Sequence, residues 1–137
     1  MKSTHQYAYY KRLSNLLELE IEYIRVNVQP NYTSQSATNT VLSITNRDHF
    51  FQYIDRALTA IRMDEIFLFI NDAYKYGPIQ ISRGILKNKL TKLLESEEGI
   101  FAFEAINEDK GLVVNIEDSS LSYFDVTLET TGILKLD

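Results

Sequence analysis

Residues 100–136 read IFAFEAINEDKGLVVNIEDSSLSYFDVTLETTGILKL, and this stretch decides the class of fold. It divides into IFAFEAI (100–106), GLVVNIE (111–117), LSYFDVTLET (121–130) and ILKL (133–136), separated by NEDK, DSS and TG. Within each longer run the apolar residues recur at every second position, the period of a strand. Phe101, Phe103 and Ala105 therefore share one face, as do Leu112, Val114 and Ile116, and then Phe124, Val126 and Leu128. Spacers this short suit hairpins, so the pattern predicts an antiparallel meander with one buried face.

The cover for that face is expected upstream. Thr45 and Asp48 have the spacing of a capping box, and Phe50, Phe51, Ile54, Ala57, Leu58 and Ile61 follow at helical intervals, which predicts a helix from about 47 to 62. Asp64 can cap a second helix through IFLFINDAYKY, stopped by Gly77 and Pro78. Ser82 can cap a third, with Leu86, Leu90, Leu93 and Leu94 on one arc and Gly99 as its end. The expected fold is α+β: an antiparallel β-meander covered on one face by about three helices, in a two-layer single domain spanning residues 1–137.

The N-terminal third reads two ways. Residues 4–15 can begin a helix capped by Ser3 or Thr4. From Leu17 to Tyr23 the run LELEIEY alternates strictly, shifts phase at Ile24 and continues as IRVNVQ, which suits a long strand with a bulge. A helix also fits, because Tyr10, Leu13, Leu17, Ile21, Ile24 and Val28 are spaced 3,4,4,3,4; the branched Ile21, Ile24, Val26 and Val28 favour the strand. Pro30 to Thr40 (PNYTSQSATNT) is uncharged and nearly free of aliphatic residues, so it should run over the surface before Val41–Thr45 returns as a second strand. Asn31-Tyr32-Thr33 is formally a glycosylation sequon, discounted here because no secretion signal accompanies it.

Composition narrows the chemistry. At 137 residues, 45% hydrophobic and 24% charged, the chain matches one ordinary globular domain. No apolar run reaches the roughly 18 residues needed to span a bilayer, and no cleavable leader is visible, so a cytoplasmic protein without membrane partners is expected. The absence of Cys excludes disulfides, thiolate zinc sites and cysteine nucleophiles, and two His leave little for an imidazole metal cage. The five glycines (Gly77, Gly84, Gly99, Gly111 and Gly132) are dispersed and form neither GxGxxG nor a phosphate loop, and no Ser lies in GxSxG. No cofactor and no metal is expected.

Charge supplies the rest. The net charge of −5 is concentrated: residues 1–46 sum to +1, residues 47–99 to 0, and residues 100–137 to −6. The basic cluster Arg83, Lys87, Lys89 and Lys92 splits across two sides of its helix, so no basic stripe forms and nucleic acid is not the expected partner. Glu18, Glu20 and Glu22 would line one strand face, more simply a solvated face than a pair of acids for catalysis or a hard-cation site. His49 beside Asp48 lacks nominated partners, and His5 lies near the terminus.

Nine Tyr, together with the acidic last quarter, point instead to a protein interface. The expectation is a non-enzymatic inhibitor of immunity or antitoxin type that neutralises a basic toxin, plausible for a nuclease because its substrate is polyanionic. Its expected contacts are Glu104, Glu108, Asp109, Glu117 and Asp118, with Tyr123 as aromatic anchor. Two rivals stand beside it. One is a small-molecule or hydrolytic domain with a pocket between helices and sheet, using His49, Tyr53 or the Glu18–Glu22 face. The other is an assembly subunit, homodimeric through the edge of the long N-terminal strand.

Overall fold

The computed structural model describes residues 4–34, 37–96, 98–120 and 123–136. Five helices, α1 (Thr4–Leu17), α2 (Ile21–Asn27), α3 (Arg47–Ala60), α4 (Ala73–Tyr76) and α5 (Arg83–Glu95), accompany six strands, β1 (Thr38–Ile44), β2 (Glu65–Phe69), β3 (Ile79–Ser82), β4 (Ile100–Ala105), β5 (Lys110–Ser119) and β6 (Phe124–Gly132). The strands form one antiparallel sheet in the order β1-β6-β5-β4-β2-β3. The α+β class and the meander β4-β5-β6 are as the alternation requires. The sheet is wider than expected, with the β2-β3 hairpin added beside β4 and β1 beside β6.

The alternating residues of the meander point into a core shared with the helices. Phe101, Phe103, Leu112, Val114, Val126 and Leu128 are all buried, and cross-strand pairs such as Phe103–Leu112 and Val114–Leu128 stack them in rows. Leu86, Leu90, Leu93 and Leu94 of α5 and Phe50, Ile54 and Ala57 of α3 close over them, in one continuous cluster. Ser82 caps α5 as expected, its hydroxyl accepting from the Ile85 amide at 3.2 Å. On α3 the capping group is Asn46, which accepts from the His49 amide at 3.0 Å, rather than Thr45. The α5 helix ends at Glu95, with Ser96 as its cap, before Gly99 is reached.

Three expectations are corrected. Residues 17–29 do not form a long strand: α1 runs to Leu17, Glu18 takes a left-handed φ of 53°, and α2 follows. Helix prevails, but in two pieces: α1 buries Tyr10, Leu13 and Leu17, α2 buries Ile24, and Val28 follows in an extended bridge to Ile79, so that core packing outweighs the strand propensity of the branched residues. The second expected helix is instead the strand β2 followed by the single turn α4. IFLFI is apolar on both sides and both sides are occupied, with Ile66 and Leu68 in the core and Phe67 covered on the opposite face. Gly77 and Pro78 do terminate α4. Gly77 has a φ of 95°, and a Cβ there would collide with the Gln29 carbonyl.

Residues 133–136 are not a strand either, because β1 already occupies the free edge of β6. The chain turns at Gly132 (φ 63°), the Ile133 amide donates to the Asp109 carbonyl at 2.7 Å, and Leu134 and Leu136 fold into the core. The expected Ser3 cap and the first two residues of the 121–130 run lie outside the described residues.

Candidate functional site

The helices leave the second face of the sheet uncovered. Alternation assigns to it Phe67 and Phe69 of β2, Ala102 and Glu104 of β4, Val113 and Asn115 of β5, and Asp125, Thr127 and Glu129 of β6. Across this face runs the segment that follows α2. A bridge between Val28 and Ile79 and a bond from the Gln29 amide to the Pro78 carbonyl (2.8 Å) tie it to the β3 edge. The turn at Pro30 and Asn31 then lays the Tyr32 ring over Phe67, with centroids 4.2 Å apart and planes inclined by 37°.

The Tyr32 hydroxyl donates to one oxygen of Glu104, and the Ser34 hydroxyl donates to the other at 2.5 Å. Glu104 is thereby only 5% exposed, a buried carboxylate satisfied by two hydroxyls. Burial, and next the adjacent Glu104 carboxylate, push the Tyr32 phenol far above its ordinary value, so it stays protonated and donating.

Hollows lie on either side of the Tyr32 strap. One of about 370 Å³ is bounded by Tyr32, Phe69, Tyr74, Ile100, Ala102 and Val113 and is mostly apolar. Tyr74 is 81% exposed at its rim. At its polar end Arg12 donates to the Asn71 carbonyl (2.8 Å) and pairs with Asp72 (3.3 Å) and Glu98 (3.7 Å). Burial raises the Glu98 carboxyl above its ordinary value, and Arg12 works against that rise. The other hollow, about 650 Å³, is bounded by Tyr32, Phe67, Glu104, Ile106, Glu108 and Asp109.

The six residues expected to form a contact surface are divided by the fold. Glu104 was expected to be exposed, but Tyr32 and Ser34 bury it. Glu108 is bound within the chain: it accepts from the Arg62 and Met63 amides (3.0 and 3.2 Å) and pairs with Lys110 at 3.5 Å. Partial burial pushes its carboxyl up, but the two amides and Lys110 outweigh this and hold it below its ordinary value. Asp109 is exposed in the β4-β5 turn. Glu117 and Asp118 lie at the far end of β5, with Glu117 in a bulge and Asp118 accepting from the Ser120 amide at 2.9 Å. Tyr123 is exposed just before β6. The β4-β5 turn and the β5-β6 end are thus separate places.

Sequence reasoning passed over Asp125 and Glu129. Asp125 stands directly opposite Asp118, and Glu129 opposite Val113, on the uncovered face. The signal was present, since assigning Phe124, Val126 and Leu128 to the core leaves the residues between them on the other side. Among the described residues, Asp118, Asp125 and Glu129 form no ion pair. Two carboxylates directly opposed cost up to about 1 kcal/mol in the unliganded sheet.

The basic cluster is spent inside the chain. Arg83 donates to the Leu58 and Ile61 carbonyls, Lys87 pairs with Asp55, and Lys89 and Lys92 both reach Glu18. Those two lysines draw the exposed Glu18 carboxyl below its ordinary value. Glu18, Glu20 and Glu22 do not share a strand face, because the break between α1 and α2 runs through them. Tyr53 lines a separate hollow of about 340 Å³ with Leu42, Arg56 and Leu136, while His49 is exposed in the first turn of α3. No helix among the described residues is long and apolar enough to cross a membrane. In comparisons with known proteins, no family model matches the chain, and no curated protein or solved structure is significantly similar to it.

Proposed function

We propose that this chain is a non-enzymatic binding protein that docks a basic protein on the uncovered face of its sheet, a cytoplasmic inhibitor of the immunity or antitoxin type. One observation carries the reading: every charged strand side chain on that face is acidic. Glu65, Glu104, Asp118, Asp125 and Glu129 belong to it by alternation and pairing, whereas Lys110, the only basic residue in a strand among the described residues, turns to the helix side and donates to the Ala60 carbonyl at 2.8 Å. A cationic partner relieves the opposed Asp118 and Asp125 and is steered by a field of one sign.

Charge alone makes encounters fast but loose, and stable docking needs an apolar anchor. The groove between Tyr32 and Tyr74 offers one, on the same face as the acids. A nuclease toxin fits the partner chemistry, because a protein that handles polyanions is itself basic.

The test is binding to a panel of basic nuclease toxins, with association rates measured across ionic strength. The reading expects at least one tight complex, an association rate that falls steeply with salt, and loss of that dependence when Asp118, Asp125 and Glu129 are neutralised together. Complexes indifferent to salt and to that triple variant, or no complex with any member, would refute it.

A further inference from the structure

The two edges of the sheet differ. The β3 edge is closed by the Val28 bridge and the Gln29 bond to Pro78, whereas β1 is paired on one side only among the described residues. Edge strands are ordinarily protected by Lys, Pro or an inward-facing charge. β1, TNTVLSI, has none of these, and the sequence contains no charged residue from Gln29 to Asn46. Val41, at the centre of its seven residues, is 58% exposed.

We infer that β1 is a self-association edge, pairing antiparallel with β1 of a second copy about a two-fold axis at Val41 to make a continuous twelve-stranded sheet. An antiparallel pair of identical strands is self-complementary, so each copy satisfies the free backbone groups of the other. Centring on Val41 brings its side chain against its symmetry mate on the uncovered face. On the helix side, half-buried Leu42 next to Tyr53 provides an apolar lip.

Charge selects the occupant. In a chain of net charge −5, like-charge repulsion opposes self-association over most of the surface. At β1 it does not: the nearest acid on the uncovered face is Glu129, one strand inward and opposite Val41. Across the axis the two Glu129 residues are three strand spacings apart, about 14 Å. That exceeds the screening length of about 8 Å at physiological salt. A basic partner gains nothing from an uncharged edge, so the second copy is the occupant that the chemistry favours. The inference is independent of the proposed docking of a basic protein and stands if that reading fails.

Analytical ultracentrifugation of the full chain from micromolar to submillimolar concentration tests it. The expected result is reversible conversion from the 15.9 kDa monomer to twice that mass. Val41→Lys, which opposes two like charges at the axis, should remain monomeric, and so should Val41→Glu. Mixing the two variants should restore the doubled mass. Circular dichroism of each variant separates lost pairing from lost folding; if Val41→Glu fails to fold opposite Glu129, Val41→Arg serves as the second blocking variant, again setting like charges against each other at the axis. A wild-type chain that stays monomeric throughout, or a dimer unaffected by charge at position 41, overturns the inference.

Discussion

The two faces of the sheet use the same alternating strands for opposite ends. On the covered face the side chains are apolar and closed over by α3 and α5, and the cations at its margins have partners: Arg83 donates to two carbonyls, and Lys110 pairs with Glu108 and donates to a helix end. On the uncovered face aromatic rings stay within reach of solvent, and acids stand opposed without cations. Stability is concentrated on the first face, and the second carries the cost of opposed carboxylates, which the proposed docking of a basic partner would relieve. The comparison can be broken by substitutions whose effects should fall in a definite order.

The largest effect belongs to the covered face. Phe103→Ala removes a side chain that is 1% exposed, at the centre of the meander, and should cost about 3–5 kcal/mol in chemical denaturation. Tyr32→Phe comes next: it leaves the buried Glu104 with Ser34 alone, and should lower stability by about 1–3 kcal/mol while the ring still covers Phe67. A Tyr32→Phe protein as stable as wild type would show that the strap is held by ring packing rather than by the carboxylate.

Smaller still is a pH effect at Glu108. Because its folded-state pKa is depressed, its contribution to stability is complete above the unfolded value, about 4.3 for glutamate, and disappears as pH falls through the lower folded value. Glu108→Gln should therefore flatten the acid limb of the stability profile and change little near pH 2. The smallest effect has the opposite sign. Asp125→Asn removes one of two opposed carboxylates and should raise stability by a few tenths of a kcal/mol, up to about 1, as measured by thermal unfolding. A residue that improves folding when neutralised yet weakens a complex would separate the purposes of the two faces at a single position.

The covered face was legible in the sequence because burial enforces periodicity. The Phe101–Phe103–Ala105 and Leu86–Leu90–Leu93 patterns each have one interpretation once a core is assumed. The uncovered face was only half legible. Its acids follow from the same alternation, but Tyr32 lies in an uncharged loop whose local pattern gives no hint that it folds back on Phe67, 35 positions later in the chain. The burial of Glu104 is a consequence of that non-local contact, so a glutamate in a strand looked like a solvent-facing one. β2 was misread for a related reason: IFLFI is apolar on both sides, and short runs of that kind do not distinguish a helix from a strand covered twice. Residues 17–29 failed differently, since the helical stripe and the branched-residue preference conflicted and tertiary packing decided between them.

The most direct test of the two-face account is the association rate with a basic nuclease toxin, measured by stopped flow at low and at physiological salt. The wild-type chain is set beside the combined variant Asp118→Asn, Asp125→Asn, Glu129→Gln. The account predicts a rate that drops steeply with salt for the wild type, a slow and nearly salt-independent rate for the variant, and folding stability in the variant equal to or above that of wild type. Equal rates for the two proteins at both salt concentrations would contradict it.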